Sequence, residues 1–127
     1  IQFRKDHAYA LAPSAYGGSA PFAWKNAGNS DLTDWGVRHF AIHYYDASVG
    51  PEIEILINME GRDVQFQLPD GAPWRKVIDS QSWFDDTTYI ETAGEPRRSH
   101  NIELDNPDSV ADGTYTVTAR SIVVLTR

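Results

Sequence analysis

The centre of the chain alternates apolar and polar residues, which is the pattern of strands with one buried face. Segments 52–59 and 62–69 both show it, with apolar side chains at every second position: Ile53, Ile55, Ile57 and Met59, then Val64, Phe66 and Leu68. The link at 60–62 is short and contains Gly61, which predicts a hairpin between the two strands. Turn residues at 69–71 predict a second turn into a third strand.

Three further segments predict strands. Segment 37–45 alternates, with one predicted face formed by Phe40, Ile42 and Tyr44 and the other by His39, Ala41, His43 and Tyr45. We expect the two histidines of this segment to face solvent. Segment 114–119 also alternates, whereas 121–126 contains the run IVVL, which is apolar on both faces, as in a buried strand.

Only the N-terminal segment, 1–11, predicts a helix, and Pro13 ends it. This helix has no capping residue before it, which suggests that it continues a longer chain. Segments 13–36 and 81–113 have the composition of loops, and we expect one short strand near 99–104. About six to eight strands and one short N-terminal helix predict an all-β fold, a Greek-key-like antiparallel β-sandwich.

Composition narrows the classes of partner. The 127 residues fit one ordinary domain. Eighteen acidic against eleven basic residues give a net charge of −7, which argues against a nucleic-acid or anionic-membrane partner. The chain has no cysteine, so it forms neither disulfides nor thiolate metal sites. No apolar run reaches the length of about 20 residues that a membrane span needs.

The polar residues do not assemble a recognisable catalytic motif. The sequence has no glycine-rich phosphate loop and no serine nucleophile elbow. Its aspartates raise the possibilities of a glycosidase carboxylate pair or a calcium site, but turn formation explains them: Asp31, Asp34, Asp85, Asp86, Asp105, Asp108 and Asp112. His39 and His43 lack the further converging ligands that zinc needs. We therefore predict no catalytic residue, no metal and no cofactor.

Exposed aromatic rings are the remaining candidates for binding. An indole ring stacks on the apolar face of a pyranose, so Trp24, Trp83 and Phe84, which lie in polar loops, are candidate carbohydrate-binding residues. Packing is the competing role of the same side chains, because large aromatics often anchor loops. Trp74 begins a predicted strand, and we expect it in the core.

Five segments, in this order, resemble the end of isoamylase-type glycogen and starch debranching enzymes of the α-amylase superfamily. They are IQFRKDHAYAL (1–11), DLTDWGVRHFAIHYYD (31–46), EIEILINMEGRDVQFQLP (52–69), PWRKVIDSQSWF (73–84) and TYTVTARSIVVL (114–125). The last is similar to the family's closing Tyr-x-Val-x-Ala-Arg-Ser-x-Val-Val-Leu. The chain departs from the family at Ala8, where a proline is usual, and in the insertion 84–113.

The resemblance implies a domain without catalytic residues. In that family the nucleophilic Asp, the acid/base Glu and the stabilising Asp lie on strands of an upstream (β/α)8 barrel, and none of those strands is in this chain. Residues 1–12 would be the remnant of the last barrel helix, and 13–127 the C-terminal β-sandwich domain. We expect this domain to pack on the barrel through a seam that includes Phe3, Tyr9 and Leu11.

Two alternatives stay open. The chain is an α-glucan-binding module if Trp83, Phe84 and Trp24 form a sugar platform, and an interaction domain if it mediates contacts between copies. The resemblance is compatible with two compartments: a bacterial glycogen debranching enzyme would be cytoplasmic, and a scavenging amylase would be exported.

Overall fold

The computed structural model describes residues 2–11, 22–45, 50–71, 73–80, 103–110 and 113–127. The described chain forms two short helices, α1 (Gln2–Asp6) and α2 (Ala8–Leu11). Eight strands follow: β1 (Phe22–Lys25), β2 (His39–Tyr44), β3 (Ile53–Asn58), β4 (Val64–Gln67), β5 (Arg75–Asp79), β6 (Glu103–Ser109), β7 (Thr114–Val117) and β8 (Ser121–Thr126).

The two helices act as the single short helix that the sequence predicts. His7 is the only residue between them. Its backbone N–H donates to the carbonyl of Phe3 at 3.0 Å, and the N–H of Leu11 donates to the carbonyl of His7 at 3.0 Å. These i to i−4 bonds carry the helical turns through the junction. Neither described helix is long and apolar enough to cross a bilayer.

Antiparallel pairing organises the strands into two sheets. The larger sheet has six strands in the order β1-β2-β3-β8-β5-β6, and the smaller sheet pairs β4 with β7. Strand β8 lies between β3 and β5, so spatial neighbours in the larger sheet are not all neighbours in sequence. The prediction of an all-β, antiparallel, Greek-key-like sandwich is confirmed.

The core lies between the two sheets. The larger sheet contributes Leu56, Val123 and Leu125, and the smaller sheet contributes Phe66 and Val117; all five side chains are buried in one cluster. The other buried members of that cluster are Ala41, Val64, Leu68, Trp74 and Val110. Trp74 is therefore a core residue, as the sequence predicts, and its indole N–H donates to a backbone carbonyl.

The predicted hairpin between segments 52–59 and 62–69 is wrong. Strand β4 pairs with β7 in the smaller sheet, whereas β3 lies in the larger one. Asn58 explains the crossing. The two N–H donors of its fully buried amide are shared among the carbonyls of Arg62, Val117 and Thr118, which lie 2.9, 3.0 and 3.0 Å from Nδ2. These bonds tie the end of β3 to the smaller sheet, so the short link passes from one sheet to the other.

The alternation in β3 correctly predicts which residues share a face, but the prediction that this face is the buried side of the strand is wrong. Ile53, Ile55 and Ile57 share one face, which is the face away from the smaller sheet, because the intervening Leu56 joins the core cluster. Met59 follows the end of the strand and is 44% exposed. Both faces of β3 are thus covered to some degree, and the pattern alone did not show which one meets the second sheet.

The sequence predicts no strand at the position of β1 and a different span for β6. Strand β1 lies within segment 13–36, which was predicted to be loop. Strand β6 runs to Ser109, well past the short strand expected near 99–104. Strands β2, β7 and β8 lie inside their predicted segments, and β8 is covered on both faces, as its IVVL run predicts.

Candidate functional site

The six-stranded sheet carries apolar side chains on its outer face, the face turned away from the smaller sheet. We define this outer face by the positions that the strand register aligns with the outward residues of β3. They are the polar Thr126 and the apolar Phe22, Trp24, Phe40, Ile42, Tyr44, Ile53, Ile55, Ile57, Ile122 and Val124. In a sandwich, outward positions are ordinarily polar. Phe22 and Trp24 are exposed on this face, whereas Ile53 and Val124 are buried. The exposed apolar part makes the face a candidate contact surface.

The N-terminal helical segment covers one part of the outer face. Ala10 is buried in a cluster with Ile53 and Val124. The partly buried side chains around this cluster are Phe3, Leu11, Tyr44, Ile55, Val77 and Ile78. Two of the three predicted barrel-packing residues, Phe3 and Leu11, thus contact the sheet of this same chain; the side chain of the third, Tyr9, lies outside the described part.

The other part of the outer face carries aromatic rings. We call Phe22, Trp24, Trp35, Phe40 and Tyr44 the aromatic patch. The ring centroid of Trp24 lies 5.7 Å from that of Trp35 and 5.5 Å from that of Phe40. Trp24 is 38% exposed and Trp35 is 67% exposed. Their planes meet at 65°, so the two indoles form an angled cradle that is open to solvent.

The loop after β1 holds Trp35 against Trp24. The side-chain Oδ1 of Asn26 accepts backbone N–H groups of Gly28 and Ser30 at 2.9 and 3.1 Å, which makes a tight turn. The N–H of the buried Leu32 then donates to the carbonyl of Trp24 at 3.0 Å. These local bonds return the chain beside β1, so Trp35 has a defined position although it lies outside a strand.

A second bond fastens the same loop. The ammonium of Lys25 lies 2.8 Å from Oδ1 of Asp31. The hydrogen bond and the charge of Lys25 together hold the pKa of Asp31 below its ordinary value. The loop is therefore closed by side-chain and backbone contacts at both ends.

The predicted carbohydrate-binding residues do not all fall within the described chain. Trp24 is a member of the aromatic patch, whereas Trp83 and Phe84 lie outside the described residues, as does most of the insertion 84–113. Trp35 is the member that sequence reasoning missed. Trp35 does not belong to a segment with alternating apolar and polar residues. The sequence signal that points to it is the asparagine turn ahead of it.

The prediction that His39 and His43 face solvent is wrong. Both rings point to the inner side of the sheet, on the same face as Ala41, and both are partly buried. His39 Nδ1 lies 3.3 Å from Oε1 of Glu60, and this hydrogen bond holds the pKa of Glu60 below its ordinary value. The sheet direction is the physical reason for the error, because Phe40, Ile42 and Tyr44 take the outer side.

The inner side of β2 and β3 holds a polar cluster that we define as His43, Glu52, Glu54 and Arg127. The guanidinium of Arg127 donates to Oε2 of Glu52 from Nε at 2.9 Å and from Nη2 at 2.7 Å. Its carbon Cζ lies 4.5 Å from the ring centroid of Trp74. Such a paired and stacked guanidinium fixes the end of the described chain to the start of β3.

Glu54 is the unusual member of the polar cluster. Its side chain is 1% exposed, and its Oε2 has no hydrogen-bond partner. Burial raises the pKa of Glu54 to about 8, while the nearby charges of Lys25 and Arg127 oppose the rise. Among the described residues, no group of three or more His, Asp or Glu side chains is placed to hold a metal ion.

Comparison with known proteins does not extend this description. No protein-family model matches the chain, and no curated protein matches it. The fold and the outer face therefore define the class: an antiparallel β-sandwich with an apolar, partly helix-covered sheet face. The resemblance to debranching enzymes stays a prediction from the sequence motifs.

Proposed function

We propose that this chain is the non-catalytic C-terminal β-sandwich domain of an α-glucan-hydrolysing enzyme of the debranching type, which cleaves α-1,6-glucosidic bonds. In this proposal the domain packs on the upstream catalytic barrel and stabilises it. The apolar outer face is the observation that carries the proposal, and the five sequence segments similar to the debranching family support it.

The outer face suits a packing role because burying apolar surface contributes favourable free energy to an interface. Interfaces between domains of one chain bury about 600–1,500 Å², and each apolar Å² removed from water contributes about 25 cal/mol. The exposed rings of Phe22 and Trp24 on β1 continue into partly buried aliphatic side chains of β2, β3 and β8 across this face. The smaller sheet offers no comparable surface, since Gln65, Gln67, Thr114 and Thr116 are its exposed strand residues.

The position of the N-terminal helical segment also agrees with the proposal. A last barrel helix that also contacts the β-domain would join the two units rigidly. Phe3 and Leu11 are only partly buried against the sheet, so each retains surface for a second neighbour. The helix would then lie between the sheet and the barrel.

The coding sequence ahead of Ile1 gives the first test. We expect it to encode barrel strands that carry a nucleophilic Asp and an acid/base Glu. An unrelated upstream domain would refute the assignment to a debranching enzyme. The purified chain itself should not hydrolyse pullulan or glycogen, and turnover by it would refute the non-catalytic role.

A binding experiment tests the packing role directly. The chain is mixed with the separately produced upstream barrel, and association is measured by calorimetry. Ile57→Lys on the outer face should weaken association by about tenfold or more, because an uncompensated buried charge is costly. Gln65→Lys adds a lysine on the exposed side of β4 and is the matched control, which should bind like the parent chain.

The aromatic patch favours a second candidate function, the binding of α-glucan. Trp24 and Trp35 are solvent-exposed and adjacent, and indole rings are suited to stacking on a pyranose. Gel retardation with amylopectin distinguishes the two functions. Retardation that is lost in Trp35→Ala but kept in Met59→Ala, an exposed apolar control, would favour glucan binding. Unretarded migration of the parent chain would exclude it.

A further inference from the structure

The polar cluster is independent of the outer face, because it lies on the opposite side of the six-stranded sheet. Glu54 occupies an inner position of β3, between the sheets, where a sandwich ordinarily places an apolar residue. Its two inner neighbours along the strand are positions 52 and 56, and Leu56 belongs to the core cluster. Burial in such a place disfavours the charged form of a carboxyl group, so the group keeps its proton to a higher pH.

Hydrogen bonding fixes the tautomer of His43. The ring atom Nε2 lies 3.2 Å from Oε2 of Glu52. That oxygen also accepts two N–H groups of Arg127, and a paired carboxylate offers no proton. Nε2 of His43 is therefore the donor. In a neutral imidazole the other nitrogen, Nδ1, then carries a free lone pair.

The free lone pair of His43 faces the orphan oxygen of Glu54. Nδ1 of His43 lies 4.0 Å from Oε2 of Glu54, and this oxygen has no other hydrogen-bond partner. The separation is longer than a hydrogen bond, but it falls within the range of an ion-pair contact between the two groups. A single proton on the carboxyl oxygen would give this oxygen an acceptor and the nitrogen a donor.

We propose that His43 and Glu54 hold one proton in common, carried on Oε2 of Glu54 and directed at Nδ1 of His43. This proton makes the stability of the sandwich depend on pH. The proposal concerns the interior of the domain and does not rest on the proposed function. When Glu54 ionises, its proton is released to solvent.

Other charged groups act on the pair from each neighbouring element. Lys25 of β1 and Arg127 after β8 both favour an ionised Glu54, and Glu52 before β3 disfavours it. Burial outweighs them and raises the pKa of Glu54 to about 8. Burial also lowers the pKa of His43 from its ordinary value of 6.5, against the hydrogen bond with Glu52, which raises it. Both shifts favour a neutral acid beside a neutral imidazole.

These shifts set the direction of the pH dependence. An unfolded glutamate ionises near 4.5, whereas folded Glu54 keeps its proton up to about pH 8. Between these values the folded chain holds a proton that the unfolded chain lacks, so its contribution to stability is complete below pH 4.5 and falls as pH rises through 8. His43 acts in the opposite direction: the unfolded ring gains a proton below 6.5, which weakens folding as pH falls.

Nitrogen-15 NMR of the histidine rings tests the shared proton in the parent chain. At pH 7 we expect His43 to be neutral with its hydrogen on Nε2 and with Nδ1 as an acceptor. Carbon-13 NMR should show the Glu54 carboxyl titrating near pH 8. A doubly protonated His43 ring at pH 7, or a Glu54 carboxyl that titrates near 4.5, would overturn the proposal. Neither measurement requires a variant to fold.

The pH dependence of unfolding is the second readout. The unfolding equilibrium constant of the parent chain relative to Glu54→Gln should rise by about tenfold per pH unit between 4.5 and 8 and be flat outside that window. His39→Gln changes the other inward histidine of β2 and is the matched control, which should keep the slope of the parent chain. Parallel profiles for the parent chain and Glu54→Gln would disprove the linkage.

Discussion

At the scale of single residues, buried polar groups decide how the two sheets are joined. Asn58 is fully buried. Its two amide N–H donors are shared among three backbone carbonyls, and its amide oxygen accepts the N–H of Glu60 at 3.0 Å. It therefore satisfies the backbone groups at the place where the chain leaves one sheet for the other. An apolar residue of similar size would leave these groups unpaired.

We predict that Asn58→Ala lowers the free energy of unfolding by about 2 kcal/mol or more, because it leaves buried carbonyls without donors and opens a small cavity. Urea denaturation measures the change. The control, Gln65→Ala on the exposed side of β4, should change it by less than about 0.5 kcal/mol. Equal effects of the two substitutions would show that Asn58 does not anchor the crossing.

At Gly71, both the backbone conformation and a neighbouring atom disfavour any side chain. Its φ is +138°, and a Cβ there would lie 2.5 Å from Nη1 of Arg127. Gly113 also has a positive φ, +90°, but no atom lies within 4 Å of its Cβ position. The two glycines therefore separate backbone strain from steric contact.

We predict that Gly71→Ala destabilises the chain by about 1–3 kcal/mol from backbone strain, plus the cost of displacing the arginine. Gly113→Ala should show only the backbone strain. Gly61→Ala, at an ordinary φ and with open space around the added Cβ, should show neither the strain nor the displacement of Arg127. Thermal unfolding ranks the three variants. If Gly113→Ala is as harmful as Gly71→Ala, the packing of Arg127 against this turn contributes nothing.

At the scale of elements, the sequence predicts where strands lie better than how they pair. The alternation in β2, β3 and β4 correctly predicts their positions and which of their residues share a face. It did not give the sheet to which each belongs, because both sides of the larger sheet carry apolar residues and the sides look alike in sequence. A buried asparagine, rather than the glycine in the link, determines the crossing.

The candidate site could be predicted only in part for a similar reason. Trp24 was a candidate because it is a large ring in polar surroundings, and it does lie at the surface. Its partner Trp35 depends on a loop closed by Asn26 and Asp31, and such side-chain bonds leave little periodic signal. The inward histidines depend on the direction of the sheet, which one strand does not reveal.

The N-terminal helical segment gives a prediction at the same scale. Phe3 is partly buried against the outer face, whereas Phe66 is fully buried between the sheets. We predict that Phe66→Ala lowers the free energy of unfolding by about 3–5 kcal/mol, and that Phe3→Ala costs about 1 kcal/mol because less apolar area is lost. Chemical denaturation compares them. Similar losses would place the helix inside the cooperative core.

At the scale of the whole molecule, the two sides of the larger sheet have different roles. The inner side completes a core with the smaller sheet, and the polar cluster lies at its edge near Arg127. The outer face is apolar and only partly covered by the helical segment. The inner side therefore supplies the buried core, and the outer side is the surface to which the proposed function assigns a partner.

Side-chain footprinting with hydroxyl radicals tests this division most directly. The chain alone is compared with the longer protein that the proposed function implies, in which an upstream barrel precedes it. Labelling is read at Phe40, Ile57 and Ile122 on the outer face and at Thr116 on the smaller sheet. We predict that the three outer-face residues are labelled about tenfold less in the longer protein, while Thr116 is unchanged. Equal labelling of the outer face in both proteins would contradict a packing role for this domain.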